Sequence, residues 1–239
     1  MTPIQNCIEW NTTAVALTIA GRKEEAARTI KKSLKVLETL FFNDSNQQIA
    51  HTSSSSTALQ RHNHQQESVI ESIPIFNNGQ EDANANSPSN LFTLFPRMFR
   101  ITEGAANRMT ISKILVVLLY NLAVSSHVDA VTGQGVPCPL RLKRVLKLYE
   151  TAMRVAETSW STQDADELLS ILLALTSNVG HVHSHLLNFQ ETRESLGLQL
   201  HLLSRTAIAN PLAIDDYEIY FESVCVFLDG HDLCVAPAA

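Results

Sequence analysis

Three histidines at alternate positions, His181, His183 and His185, are the part of this chain that most resembles a metal or proton-transfer site. On a helix, His181 and His185 share a face at i, i+4, a spacing at which two imidazoles can hold one transition-metal ion. No carboxylate or thiolate nearby in the sequence completes such a set, so metal binding stands beside groove lining, packing and solvent exposure as alternative readings. Because imidazole titrates between pH 5 and 8, a partner held by these side chains would bind in a pH-dependent way. His51, His62 and His64 lie among Ser, Asn and Gln and read as solvated. Asp164, Asp166 and Glu167 read as capping charges near the start of a helix, at its positive dipole end, and so do Asp215 and Asp216. There is no Gly-x-Ser-x-Gly nucleophile elbow, and Gly133-Gln134-Gly135 lacks the Gly-Lys-Ser/Thr of a phosphate loop. Cys7, Cys138, Cys225 and Cys234 form no Cys-x-x-Cys pair and have no His at zinc-finger spacing. They read as reduced, mostly packed thiols, with a cytoplasmic location expected and a nuclear one left open. Taken together these residues predict a protein that is not an enzyme and carries no cofactor and no metal.

The elements that would position these residues are helical. The chain has 239 residues, 45% of them hydrophobic, enough for a sizeable core in one large or two small domains. Its net charge of −6 argues against nucleic acid as the main partner, since phosphate binding requires a dense cationic face. Arg22-Lys23, Lys31-Lys32 and the run from Arg141 to Lys147 read as solvated helix faces. The N-terminus shows no secretory signal, and the longest apolar run, Ile114 to Tyr120, is too short to span a bilayer, so no membrane partner is expected.

Thr2-Pro3 is a helix start, with a capping hydroxyl before a first-turn proline. The helix it opens runs to Ala20, with Trp10, Ala14 and Leu17 on one face, and Gly21 breaks it. A second helix follows over Lys23 to Phe41 with Ala26, Ile30, Leu34 and Leu37 inward. Asn43 to Asn90 is rich in Ser, Asn, Gln and His and reads as mostly disordered, interrupted by Ser68 to Phe76 and Leu91 to Ile101 as two short strands or loop anchors. Further helices are predicted over Ile111 to Ser126, Leu140 to Thr158, Thr162 to Leu186, onward to Ala209, and Ile214 to Leu228. The third is apolar almost all round, so it should be central; Ser126 to Pro139 should be a loop. Asn188 and Glu191 have the spacing of a capping box. The expected domain plan is a first hairpin (1–42), a low-complexity insertion (43–108) and the remaining hairpins with a C-terminal capping helix (109–239), all in one domain.

A signature recurs through these hairpins: Trp10-Asn11-Thr12-Thr13-Ala14 leading through Gly21 to Ala26 and Ser33, Tyr120-Asn121-Leu122-Ala123, and Asn178-Val179-Gly180 leading to Asn188-Phe189. It resembles the tetratricopeptide-type helical repeat, which pairs a large residue with a small one a turn later and follows them with a tight turn, an Ala, an aromatic and a second Ala. Three hairpins match, at about 7–40, 116–156 and 173–206. The spacing departs from the family: Ala14, Ala123 and Gly180 are separated by 109 and then 57 residues, not 34. The resemblance implies an all-α, right-handed stack of antiparallel hairpins, an irregular α-solenoid in which hairpins bury one another's apolar faces. It also implies a protein–protein interaction scaffold binding a peptide or partner protein in a concave groove. The groove would be lined by Asn11, Tyr120, Val124, His127, Ser177, His181, Ser184 and His185. The family's carboxylate clamp is not expected, because its positions hold Asn11, Val15, Asn121, Ala174 and Asn178, with no Lys or Arg. A metal-binding repeat, an RNA-binding repeat and a self-associating structural protein are the competing readings.

Overall fold

A computed structural model describes residues 2–48, 69–75, 92, 94–105, 107–132, 138–161, 164, 168–209 and 220. Among them are six α-helices and one pair of strands: α1 (Pro3–Ile19), α2 (Lys23–Gln48), β1 (Ile70–Pro74), β2 (Arg97–Ile101), α3 (Ile111–Val131), α4 (Pro139–Ser159), α5 (Leu169–His185) and α6 (Phe189–Ala209). The described residues are mostly helical, as the sequence implies. Consecutive helices pack as pairs, α1 on α2, α3 on α4 and α5 on α6. The pairs join through α2 against α3, α4 against α5, and α1 and α5 against α3.

Local chemistry sets the helix ends. The Thr2 hydroxyl accepts from the Gln5 N–H and the Gln5 side chain accepts from the Thr2 N–H, both at 3.2 Å, with Pro3 in the first turn. Gly21 closes α1 at φ +75°, its N–H on Thr18 O and the Arg22 N–H on Leu17 O, a turn that needs a left-handed residue. Thr110 caps α3 through the Lys113 N–H. Helix α3 is buried on nearly every side, and it is also the one described helix long and apolar enough to cross a membrane; here it is the core helix of the fold.

Several boundaries differ from expectation. α3 continues to Val131 through the expected loop, because His127, Val128 and Ala130 are buried in the core and favour the extra turn. α2 runs on to Gln48, past the expected start of the insertion, by cooperative extension of an already packed helix. α5 begins at Leu169, not Thr162. The buried stripe of α1 is Cys7, Asn11, Ala14, Val15 and Thr18, while Trp10 sits half-buried at its flank under the Lys32 ammonium, 4.3 Å from the ring centroid. The Asn188 amide nitrogen lies 3.1 Å from His183 Nδ1, so this side chain ties back to α5. Of the expected C-terminal helix only Tyr220 is described: it is helical and buried. Most of the low-complexity stretch, Gly133 to Pro137, Asp166 and Glu167 lie outside the described residues.

The two apolar segments inside the insertion form an antiparallel pair, with Ile70 opposite Ile101, Ser72 opposite Phe99 and Pro74 opposite Arg97. Glu71 and Arg100 pair across it. β2 lies against α1 and α3, and Phe92, Leu94, Phe95, Met98, Phe99 and Ile101 are all buried in the core.

Candidate functional site

One asparagine on the first helix of each pair builds the site: Asn11 on α1, Asn121 on α3 and Asn178 on α5, each without solvent exposure. All three point their carboxamides at the main chain of residues 95–101. Asn178 Oδ1 accepts the Phe95 N–H at 2.8 Å and its Nδ2 donates to Phe95 O at 3.2 Å. Asn121 does the same at Phe99, with both bonds at 2.8 Å. Asn11 accepts the Ile101 N–H at 2.9 Å and donates to Phe99 O at 3.2 Å. The Tyr120 hydroxyl adds a bond to Arg97 O at 3.1 Å and receives one from Asn178 Nδ2 at 3.2 Å.

The physical reason is the accounting of main-chain polar groups. A buried strand must satisfy the N–H and C=O groups on both edges. β1 serves the outer edge of β2, but helices have no free main-chain donors for the inner edge. A carboxamide supplies an acceptor and a donor in one plane and so stands in for a neighbouring strand. An orphaned buried group costs about 1–3 kcal/mol, so the three asparagines decide whether this segment can lie there at all. The geometry matches: the six residue-to-residue steps of extended chain from Phe95 to Ile101 span about 20 Å, and three adjacent helices spaced about 8–10 Å apart cover the same length.

Side chains complete the fit. The Phe92 ring lies directly on Gly180, where an added Cβ would be 2.5 Å from ring carbons. The small residue of the third hairpin thus makes room for an aromatic ring of the insertion, not for a partner helix. Phe95 stacks on Tyr220 at 4.9 Å and Phe99 lies against Tyr120 at 5.0 Å between centroids.

Below this segment runs a buried polar chain. Tyr149 Oη lies 3.3 Å from His127 Nδ1, and His127 Nε2 lies 3.0 Å from His181 Nδ1. The His185 ring is 4.6 Å from that of His181, and His181 Nε2 is buried without a hydrogen-bond partner. Burial, with the neighbouring His185 adding to it, pushes His127 down to about 3. Burial also holds His181 well below the usual imidazole range, with His127 and His185 acting in the same direction, and it lowers His185. Burial pushes the Tyr120 and Tyr149 phenols well up. At neutral pH these are uncharged groups that share protons through hydrogen bonds. Among the described residues no set of three or more His, Cys, Asp or Glu side chains is arranged to hold a metal ion.

The eight groove residues expected from the sequence are thus brought together but covered. Asn11, Tyr120, Val124, His127, Ser177 and His181 are fully buried, and Ser184 and His185 are half-buried. Asn121 and Asn178, the other two clamps, were absent from that set; the signal for them was a polar amide recurring on the apolar face of three first helices. Asp164 is the helix-start charge expected: it is itself helical, and its N–H donates to Ser161 Oγ at 3.2 Å. Its carboxylate accepts from the Ser161 N–H and hydroxyl and pairs with the buried Lys113 ammonium at 2.6 Å. Comparison with family models, with curated proteins and with solved structures gives no match.

Proposed function

We propose that the chain is a non-catalytic scaffold, a right-handed stack of three helical hairpins whose concave face recognises the main chain of an extended peptide. In the isolated protein its own residues 92–101 fill that face. The carrying observation is the set of paired bonds from Asn11, Asn121 and Asn178 to Phe95, Phe99 and Ile101. Such bonds read the backbone and leave selectivity to side-chain pockets, the arrangement of β-strand addition with asparagines in place of a sheet edge. A partner peptide would take the same path when the internal segment withdraws.

The test leaves the groove intact and weakens only its internal occupant. A labelled peptide of residues 90–103 is titrated by fluorescence anisotropy into the wild-type chain and into Phe99→Ala. Saturable binding is expected, tighter to Phe99→Ala and abolished by adding Asn121→Leu; a scrambled peptide does not bind. A folded Phe99→Ala chain that binds no peptide at millimolar concentration refutes the proposal and makes residues 92–101 a permanent part of the core.

A further inference from the structure

One turn geometry occurs twice in this chain with different residues at its critical position. Between α1 and α2 the left-handed position is Gly21, with its N–H on Thr18 O and the next N–H on Leu17 O. Between α5 and α6 the position is Leu187, at φ +58°, with its N–H on Ser184 O and the Asn188 N–H on His183 O. The hydrogen bonds are equivalent, but a leucine is strained where glycine is not. Packing does not compensate, because Leu187 is 69% exposed and Phe189 beside it 71% exposed. Strain and two large apolar side chains held in water coincide at one turn with no return inside the fold.

The same edge carries more of this chemistry. Lys23 pairs with Asp129, which brings the start of α2 to the end of α3. His127 meets His181, which aligns the C-terminal turns of α3 and α5. The C-terminal ends of α3 and α5 and the α1–α2 turn therefore share one edge, from which α4 sets out. Ile19 and Leu140, 47% and 69% exposed, project there too. Next to Leu140 the first three turns of α4 present Arg141, Lys143, Arg144 and Lys147, all exposed and in no ion pair among the described residues. Of the acidic groups at this edge, Glu25 and Asp129 are neutralised by Arg22 and Lys23, Glu24 stands on α2, Glu150 follows the cations on α4, and Glu191 and Glu194 lie in the first two turns of α6 behind Phe189.

We infer that this turn edge docks on an anionic lipid bilayer. Leu140, Leu187 and Phe189 enter the headgroup region, and the four α4 cations lie on acidic lipid headgroups. A second copy fits less well, since a two-fold contact through this patch would set its cations against themselves. A nucleic-acid backbone would satisfy the charges but leave Leu187 and Phe189 in water. The inference is independent of the groove reading.

Vesicle co-sedimentation of the full chain tests it, with phosphatidylcholine alone against phosphatidylcholine with about a third phosphatidylserine. Binding is expected only to the mixed vesicles and weakens with added salt. Replacing Arg141, Lys143, Arg144 and Lys147 by Gln lowers the partition coefficient by about fivefold per charge. Leu187→Gly with Phe189→Ser lowers it at least about tenfold, while the urea midpoint of Leu187→Gly stays level or rises, the opposite sign to a structural role. Three results overturn the inference: no binding to the mixed vesicles, equal binding to both kinds, or a dimer in sedimentation equilibrium that Leu187→Gly with Phe189→Ser dissolves.

Discussion

Gly180→Ala is the sharpest probe of the seated segment, because the structure fixes its sign twice. A Cβ at this position lies 2.5 Å from Phe92 Cε1 and Cζ and 2.7 Å from Cε2. Non-bonded carbons settle at about 3.5–4.0 Å, so the ring would have to retreat by about an ångström. Phe92 is only 1% exposed, so its ring cannot swing into solvent without leaving the core. Overpacking of this kind costs about 1–3 kcal/mol, and the overlap puts it near the top of that range. Glycine to alanine inside a helix returns about 1 kcal/mol. The net expectation is a loss of about 2 kcal/mol in the wild-type chain. In a Phe92→Ala background the clash is gone, and the same substitution stabilises by about 1 kcal/mol. The coupling between the two sites is then about 3 kcal/mol, large for any pair. Urea unfolding of the four chains, followed by circular dichroism at matched m values, reads it directly; Phe92→Val replaces Phe92→Ala if the latter is too unstable to fold. A Gly180→Ala effect of the same sign and size in both backgrounds would show that the ring does not rest on α5 and would remove the basis for the seated segment.

Other expectations follow from the same contacts. Asn121→Leu orphans the Phe99 N–H and costs about 1–3 kcal/mol, with faster hydrogen exchange at the Phe99 amide as its signature; an unchanged exchange rate argues against the clamp. His127 and His181 have folded pKa values below the unfolded value near 6.5, so the unfolded chain binds more protons in acid. Stability therefore falls as pH drops from about 6.5 towards 3, by up to about 1.4 kcal/mol per pH unit for each histidine, and a flat stability profile between pH 6.5 and 4 contradicts their burial. Asp164→Ala leaves the Lys113 ammonium buried without its carboxylate and costs about 3–5 kcal/mol, whereas a surface pair would lose under about 1 kcal/mol. Cys138 is exposed, and its thiol is pulled down by the backbone N–H groups of Arg141 and Leu140, while burial pushes Cys7 up. Iodoacetamide labelling followed by peptide mapping should find Cys138 modified rapidly and Cys7 only on unfolding, and equal rates at the two residues would contradict their placement.

How much of this was legible depended on whether a signal was local. The helix stripes were, because 3.6-residue periodicity is written into Ala26, Ile30 and Leu37 or Leu142, Val145 and Tyr149. The Thr2 cap and the Gly21 turn were legible for the same reason. The apolar segments at 68–76 and 91–101 stood out from their polar surroundings, yet nothing local said that one would pair with the other or lie across three helices. That placement depends on partners 83 to 90 residues away, Asn178 with Phe95 and Asn11 with Ile101. Asparagine is read from sequence as a cap or turn former, and its use as a surrogate strand edge shows only when the strand is present. Gly180 was rightly singled out as small, but what it makes room for is an aromatic ring from the insertion. The histidine cluster drew the eye as chemistry, whereas burial leaves it uncharged and His181 Nδ1 faces His127.

The clamp also imposes an order on synthesis. Residues 95–101 leave the ribosome with α1 and α2 already made but with α3 and α5 still to come. Phe95 must wait for Asn178, 83 residues downstream. At about 5–20 residues per second that is a delay of roughly 4 to 17 s, during which Phe92, Phe95 and Phe99 have no finished surface to lie on. A nascent chain stalled before the third hairpin therefore offers an aromatic, sticky stretch to any passing chaperone, and one stalled after it does not.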